Sequence, residues 1–314
     1  MAIGSWTQPG YMLMVQPNRF VARVAAVSQD LPSSKIMAQL DLKDAAIDTK
    51  AHPGSGGGHA SSQLRSSLLT SLKSLGRDKV RVLYLHVPDK TVPFEETLEE
   101  VHKLHQEARY SGSVTTQLGR SQKSSESAKL GGGYRPKFIK RVYALDGFRS
   151  LTLTSSIRMY NAITREIEPE LIPCARKFGI RVVIYNPLAG GFFAGKVTSV
   201  ESSVEGRFDP KGGILAELYR ARYLKSGYFD ALEHLKTIVS EHKLRLTEIA
   251  LRWCQHHSAL TPEDGIILGA SSAEQLKQNC EDSAKGPLPE PVVKALDEAY
   301  QMVIASGSVP RYWR

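Results

Sequence analysis

Three polar side chains end three apolar runs. Lys50 follows AAIDT, His86 follows KVRVLYL and Asn186 follows IRVVIY. Near neutral pH a histidine can polarise a carbonyl or move a proton. A lysine beside a phenol or carbonyl stabilises developing negative charge. The trio therefore suits carbonyl chemistry at the C-terminal ends of parallel strands. Taken one at a time, His86 equally caps a strand and Lys50 equally is a solvated surface lysine. A second group suits an anion. Ser271 and Ser272, in GASSAEQLKQN, are good N-cap residues, and the helix N-terminus they open is a natural phosphate site. Arg207, in GRF, offers a planar fork for phosphate. An ordinary capped helix and a solvated loop arginine are the alternatives.

Other chemistries lack their residues. Cys174, Cys254 and Cys280 are too few and too scattered for a disulfide framework or a zinc site, which fits a reducing, cytoplasmic setting. His102, His105, His256 and His257 show no ligand spacing with a third partner, so no metal is expected. Cys254 reads as a core residue. No strand is followed by G-x-G-x-x-G, and GSGGGH after Pro53 opens no helix in register. No run approaches about 18 apolar residues, so no membrane span is expected. Residues 1–29 carry Arg19 and Arg23 and no acid, but no amphipathic stripe that would make a transit peptide.

The elements that must hold these side chains alternate. Residues 45–51 and 79–85 predict strands, as do 180–185 and 265–269. Between and after them, 61–75 is a helix with Leu64, Leu68, Leu72 and Leu75 on one face, stopped by Gly76. Residues 93–108 predict a helix with acids in its first turn, where the dipole favours them. Further helices are predicted over 168–178, 228–242 and 247–257, a short one from Ser271, and a last one over 289–304. Strands separated by helices of this length argue for βα units and a parallel sheet, either a (β/α)8 barrel or a doubly wound sheet.

Charge locates a break in this pattern. The chain of 314 residues carries a formal +9, and the 50 residues 109–158 hold ten basic and two acidic side chains, or +8 of it. That segment is rich in Ser, Gly and Lys and has no sustained period. It also lacks the interleaved aromatics of a nucleic-acid surface, so no nucleic-acid partner is expected.

Long runs carry a resemblance. SSLLTSLKSLGRDKVRVLYLHVPDKTVPFEETLEEVHKLHQE, MYNAITREIEPELIPCARKFGIRVVIYNPLAGGFFAGK, EGRF, LYRARYLK, ALRWCQHHSAL, GIILGASSAEQLKQN and GPLPEPVVKALDEA cover roughly two thirds of the chain. Together they resemble the aldo-keto reductases, in the aflatoxin-aldehyde reductase branch of fungal type. The resemblance implies an α/β (β/α)8 TIM barrel that binds NADP(H) without a Rossmann motif. It implies reduction of small aldehydes or ketones, and a homodimer. His86 in YLH matches the histidine that orients the carbonyl. Lys50 in DTK matches the lysine that lowers the pKa of a catalytic tyrosine. Asn186, Pro187, Leu188, Ala189, Gly190 and Gly191, on to Lys196, match the loop along the cofactor, and Arg207 matches a cofactor-contacting arginine. Gly269, Ser271, Ser272 and Gln275, on to Lys277, match the loop and helix around the adenosine 2′-phosphate, which favours NADP over NAD. Tyr219, Arg222 and Arg314 match positions lining the substrate mouth.

The departures are as specific as the matches. The run of type D-T-A-x-x-x-Y that carries the family's catalytic Asp and Tyr should precede Lys50, and residues 1–43 contain no such run. Tyr11 is the one tyrosine there, in the unrelated context PGYMLM. The fifth strand with its Ser-Asn pair, and most of the sixth, should fall within 109–158. Neither is visible, and Ile157–Arg158 stand where the family glutamine belongs. The expected barrel is thus incomplete, with strands 1, 2 and 5 not recognisable. It consists of an unmatched segment 1–43 and a reductase domain 44–314 interrupted at 109–158. Catalytic competence is in doubt, and a remnant that at most binds NADP is the alternative.

Back-translating residues 116–140 with permitted codons and shifting the frame yields AAWEVAEIVGICKARGWVQAQIYQ. That string resembles the missing family helix and sixth strand, and 141–158 then reads as translated intron. Genomic DNA across codons 1–44 and 109–159 is expected to show splice signals and a change of frame. An uninterrupted exon read in one frame there would defeat this account.

Overall fold

The structure is a computed structural model that describes residues 11–16, 19–24, 48–54, 57–85, 89, 91–110, 115–116, 155–177, 179–199, 206–270 and 272–310. Its strands are β1 (Tyr11–Gln16), β2 (Arg19–Val24), β3 (Asp48–Ala51), β4 (Val82–Leu85), β5 (Thr115–Thr116), β6 (Ser155–Met159), β7 (Arg181–Tyr185) and β8 (Gly265–Ala270). Its helices are α1 (Ser61–Leu75), α2 (Phe94–Gln106), α3 (Leu171–Lys177), α4 (Gly213–Tyr223), α5 (Ser226–Glu241), α6 (Leu246–His256), α7 (Ala273–Ser283) and α8 (Glu290–Ala305), with a 3-10 segment at Ala189–Ala194. Hydrogen bonds order the strands β2-β1-β8-β7-β6 in one sheet and β3-β4-β5 in another. Contacts divide the chain into two bodies. One comprises Met1–Ala22, Arg158–Glu170 and Ile184–Tyr312, the other Arg23–Ile157, Leu171–Val183 and Trp313–Arg314.

In the second body β3 and β4 run parallel, with Lys50 opposite Tyr84 and Ala51 opposite Leu85. β5 continues the parallel ladder on β4, and Val80 bridges to Tyr110. The helical period of α1 aims Leu64, Leu68 and Leu72 at Ala51, Leu83, Leu85, Val101 and Leu104. Gly76 ends α1 in the left-handed region (φ 61°), and the Arg77 N–H reaches back 3.1 Å to the Leu72 carbonyl. Arg65 ties the two helices. Its Nε donates to Glu100 at 2.6 Å and its two terminal nitrogens to Glu107 at 2.9 and 2.7 Å. The Arg81–Asp48 pair joins the start of β3 to the residue before β4.

In the first body β1 pairs antiparallel with β8, from Tyr11 opposite Ala270 to Val15 opposite Ile266. α5 and α8 bury facing apolar stripes, Tyr228, Leu232, Leu235 and Val239 on one, Val292, Leu296, Ala299 and Val303 on the other. Arg165 anchors the chain beneath them. Its Nε donates to the Ala162 carbonyl (2.7 Å), and its Nη atoms to Asp297 (2.7 Å) and the Leu296 carbonyl (3.2 Å). Its guanidinium also lies 4.3 Å from the Trp253 ring centre and 4.8 Å from that of Tyr300.

Several expected boundaries move. The helix expected over 168–178 starts at Leu171 because Pro169 disfavours helical backbone at Glu168. The strand expected from Lys79 begins at Val82, after the Val80 bridge. The helix expected from Ser271 starts at Ala273 and runs to Ser283. Strands stand at Tyr11–Gln16, Arg19–Val24 and Thr115–Thr116, where none was legible. The rest of segments 1–43 and 109–154 lies outside the described residues, apart from Arg109 and Tyr110.

Leu68 is 1% exposed and its neighbour Leu69 40%. Urea unfolding should therefore show Leu68→Ala losing about 2–5 kcal/mol and Leu69→Ala staying within about 0.5 kcal/mol of the parent. Equal losses would contradict the placement of α1.

Candidate functional site

β7 is a buried run of Val182, Val183 and Ile184 that ends where the chain must turn. Asn186 makes that turn in the left-handed region (φ 60°), where asparagine is among the better tolerated side chains. Leu188 (φ −97°, ψ 20°) is followed by Ala189 (φ 49°), Gly190 (φ 71°) and Gly191 (φ 105°). This turn is closed by its own backbone, the Ala189 N–H donating to the Asn186 carbonyl and the Gly191 N–H to the Leu188 carbonyl, each at 2.9 Å.

The Asn186 side chain is 7% exposed as a residue and organises its neighbours. Its Oδ1 accepts from the Tyr219 hydroxyl at 3.0 Å and from Arg207 Nη1 at 3.4 Å. Arg207 Nη1 also donates to the Tyr219 oxygen at 2.8 Å. The Tyr219 ring lies against Gly190, where a Cβ would stand 2.4 Å from Tyr219 Cε1. Two guanidinium groups, of Arg207 and Arg222, sit 5.1 and 5.8 Å from the centre of that ring. A Cβ on Gly269, at the end of β8, would lie 3.8 Å from Arg207 Nη2. Ser272 caps α7 by accepting from the Gln275 N–H at 3.2 Å. Asn186, Gly190, Arg207, Tyr219, Arg222 and Gly269 thus form one cluster. Lys196 and Gln275 are exposed, and Pro187 and Leu188 lead into the 3-10 segment.

Lys50 lies in the other body, on β3, half-buried. Burial and then the charge of Lys50 lower the pKa of His52 two residues on. His86, Ser271 and Arg314 lie outside the described residues.

The chain matches the Aldo/keto reductase family over residues 35–301. It is 40% identical over 277 residues to aflatoxin B1 aldehyde reductase member 2 of Mus musculus, covering 85% of this chain and 70% of that protein. Aldo-keto reductase family 7 member A3 of Homo sapiens is 38% identical over 278 residues, 85% of this chain and 78% of that one. This chain belongs to the aldo/keto reductase family.

Among solved structures, the glycerol dehydrogenase AKR11B4 from Gluconobacter oxydans shares the fold, with a TM-score of 0.62 and 19% identity over 90% of this chain and 80% of that one. The fold class of this aldo/keto reductase is accordingly the α/β (β/α)8 barrel, and its class of activity is oxidoreductase. No helix among the described residues is long and apolar enough to cross a membrane.

Sequence reasoning did not single out the residues behind the cluster. Asn161 Nδ2 donates to the Asn186 carbonyl at 3.1 Å, and Asn279 Nδ2 to the Gly269 carbonyl at 3.3 Å. Both asparagines are buried. A polar residue amid the apolar run MYNAI was the available signal for Asn161. Arg158, in β6 where with Ile157 it stands in place of the expected family glutamine, is also buried.

Two substitutions test the cluster by thermal unfolding. Gly190→Ala puts a methyl into the Tyr219 ring at positive φ and should cost about 1–3 kcal/mol. Tyr219→Phe withdraws the hydroxyl from Asn186 and Arg207 and should also cost about 1–3 kcal/mol. Parent-like melting of both variants would show that the cluster does not form.

Proposed function

We propose that this aldo/keto reductase binds NADPH and reduces small aldehydes or ketones. One observation carries the cofactor half. The buried Asn186 Nδ2 is a donor with no hydrogen-bonded acceptor among the described residues, and the Arg207 guanidinium stands beside it on Asn186 Oδ1. The cluster therefore fits a phosphate-bearing nucleotide. Asn186, Pro187, Leu188, Ala189, Gly190, Gly191 and Lys196 would line it. Arg207 would neutralise its phosphates, and Gly269, Ser271, Ser272 and Gln275 would address the 2′-phosphate at the start of α7. When bound, the nucleotide supplies a hydride to a carbonyl carbon.

The chain's own residues do the rest. Lys50 would stabilise the negative charge that develops on the carbonyl oxygen, His86 would orient the carbonyl, and Tyr219, Arg222 and Arg314 would line the substrate mouth. The names of the relatives support an aldehyde as substrate. A cytoplasmic homodimer without a nucleic-acid or membrane partner completes the reading.

A second reading is favoured by one observation. Residues 1–43 lack the run that carries the family's proton donor, and a positioned donor is worth about 10²–10⁴-fold. On that reading the chain binds NADPH and turns over little.

Fluorescence titration with NADPH, followed by its oxidation with a reactive aldehyde, separates the two. Saturable binding is expected, and Arg207→Leu should weaken NADPH and NADH alike by about tenfold or more. Failure to bind NADPH would sink both readings. Robust oxidation would remove the second.

A further inference from the structure

We propose that His59 and Asp89 are positioning residues for Lys50, an assignment that rests on the reductase reading of that lysine. The loop after β3 runs HPGSGGGH, and glycine-rich chain of this kind has no conformational preference strong enough to fix the strand end before it. Side chains supply what the backbone lacks. His59 is 2% exposed, and its ring Nε2 stands 3.3 Å from the carbonyl of Ala51, the residue after Lys50. A carbonyl only accepts, so Nε2 carries the proton. Burial lowers the His59 pKa despite that carbonyl and the Asp89 charge, so the ring is neutral and keeps this tautomer.

His59 is in turn held by the buried Asp89. Oδ2 of Asp89 accepts from the His59 N–H at 3.2 Å, and Oδ1 accepts from the Thr91 N–H at 2.9 Å and hydroxyl at 2.7 Å. The Thr91 hydroxyl oxygen accepts from the Gly57 N–H at 2.8 Å, and the His59 carbonyl accepts from Thr97 at 3.2 Å. A Cβ on Gly58 would come within 2.7 Å of the Pro53 backbone, so the loop closes tightly on itself. Burial pushes the Asp89 carboxyl up, but the bonds from Thr91 and His59 outweigh it and hold the pKa low. Burying an ionised carboxylate is costly unless donors surround it. Here its donors lie in the chain that follows Lys50 and in Thr91.

The consequence is a continuous path from Asp89 through His59 to Ala51. It complements the ladder that sets Lys50 opposite Tyr84. Together they hold the end of β3 from two directions. A charge that must act on one proton loses its effect when its carrier wanders by about 1 Å.

The test reads Lys50 directly in the full chain, by reductive methylation and peptide mass spectrometry, with Lys103 on α2 as internal reference. Asp89→Asn and His59→Leu are expected to raise Lys50 labelling several-fold relative to Lys103. His59→Gln, which keeps an N–H donor, is expected to restore the parent ratio. An unchanged ratio in Asp89→Asn and His59→Leu overturns the proposal. So does a parallel rise at Lys50 and Lys103, which reports general loosening. Labelling needs no turnover. Absent aldehyde reduction by the parent would therefore count against the reductase reading alone, and the labelling ratio would still decide the placement of Lys50.

Discussion

One side-chain oxygen organises the candidate site. Oδ1 of Asn186 is the shared acceptor for the Tyr219 hydroxyl and the Arg207 guanidinium. Its main-chain carbonyl is occupied as well, by Asn161 Nδ2 and the Ala189 N–H at 2.9 Å. These bonds exist because β7 ends in a left-handed residue, which swings the side chain back toward the body instead of along the strand. An apolar residue at 186 would leave the buried Tyr219 hydroxyl without its acceptor, and such an orphan costs about 1–3 kcal/mol. The run NPLAGG is thus a backbone requirement. Gly190 must lack a Cβ because the Tyr219 ring takes that space, and Gly191 must tolerate φ 105°.

Behind Asn186 the support is aromatic. The Phe192 ring sits 6.1 Å from Tyr228, 5.5 Å from Phe229 and 6.4 Å from both Phe208 and Tyr223, mostly in tilted or edge-on geometry. Such packing supports the 3-10 segment alongside its backbone bonds, among them Gly195 N–H to the Phe192 carbonyl at 3.0 Å. Burial in this packing raises the Tyr223 phenol well above its ordinary range. The Cys254 thiol, beneath Trp253, is pushed up to about 12, also by burial. A thiol that weakly acidic is a packing group and not a nucleophile. Arg165 closes the arrangement by lying against Trp253 and Tyr300 while tying the segment after β6 to α8.

Local order was readable in the residues, and long-range pairing was not. The leucines of α1 and its glycine stop are statements about neighbours four residues apart, so they could be read directly. α4 was not legible as a helix. It opens on Gly212–Gly213 and exposes Ile214 (86%) and Leu218, so its apolar residues do not mark one buried face. Asn186 and Arg207 were recognisable through resemblance, yet their partnership spans 21 residues and depends on how two loops meet. Tyr219 was expected at the substrate mouth. Its hydroxyl bonds join it to Asn186 and Arg207, so in this cluster it touches both groups of residues that the resemblance kept apart. Asn161 and Asn279 act on main-chain carbonyls, a role that leaves no spacing to detect.

The edge of β8 shows how the fold answers a departure from its family. In a closed barrel β8 has a parallel neighbour on each side. Here one side is taken by β1, antiparallel and in register over five residue pairs. Strand direction matters less than pairing, because an uncovered edge leaves a row of N–H and C=O groups free to recruit other chains. β1 meets that need without supplying a catalytic run. The basic surplus follows the same logic. Its +8 lies in 109–158, while the groups suited to an anion, Arg207 and the start of α7, lie outside that segment. Net charge therefore marks where the chain departs from its family, and local geometry at Asn186 marks where it would bind.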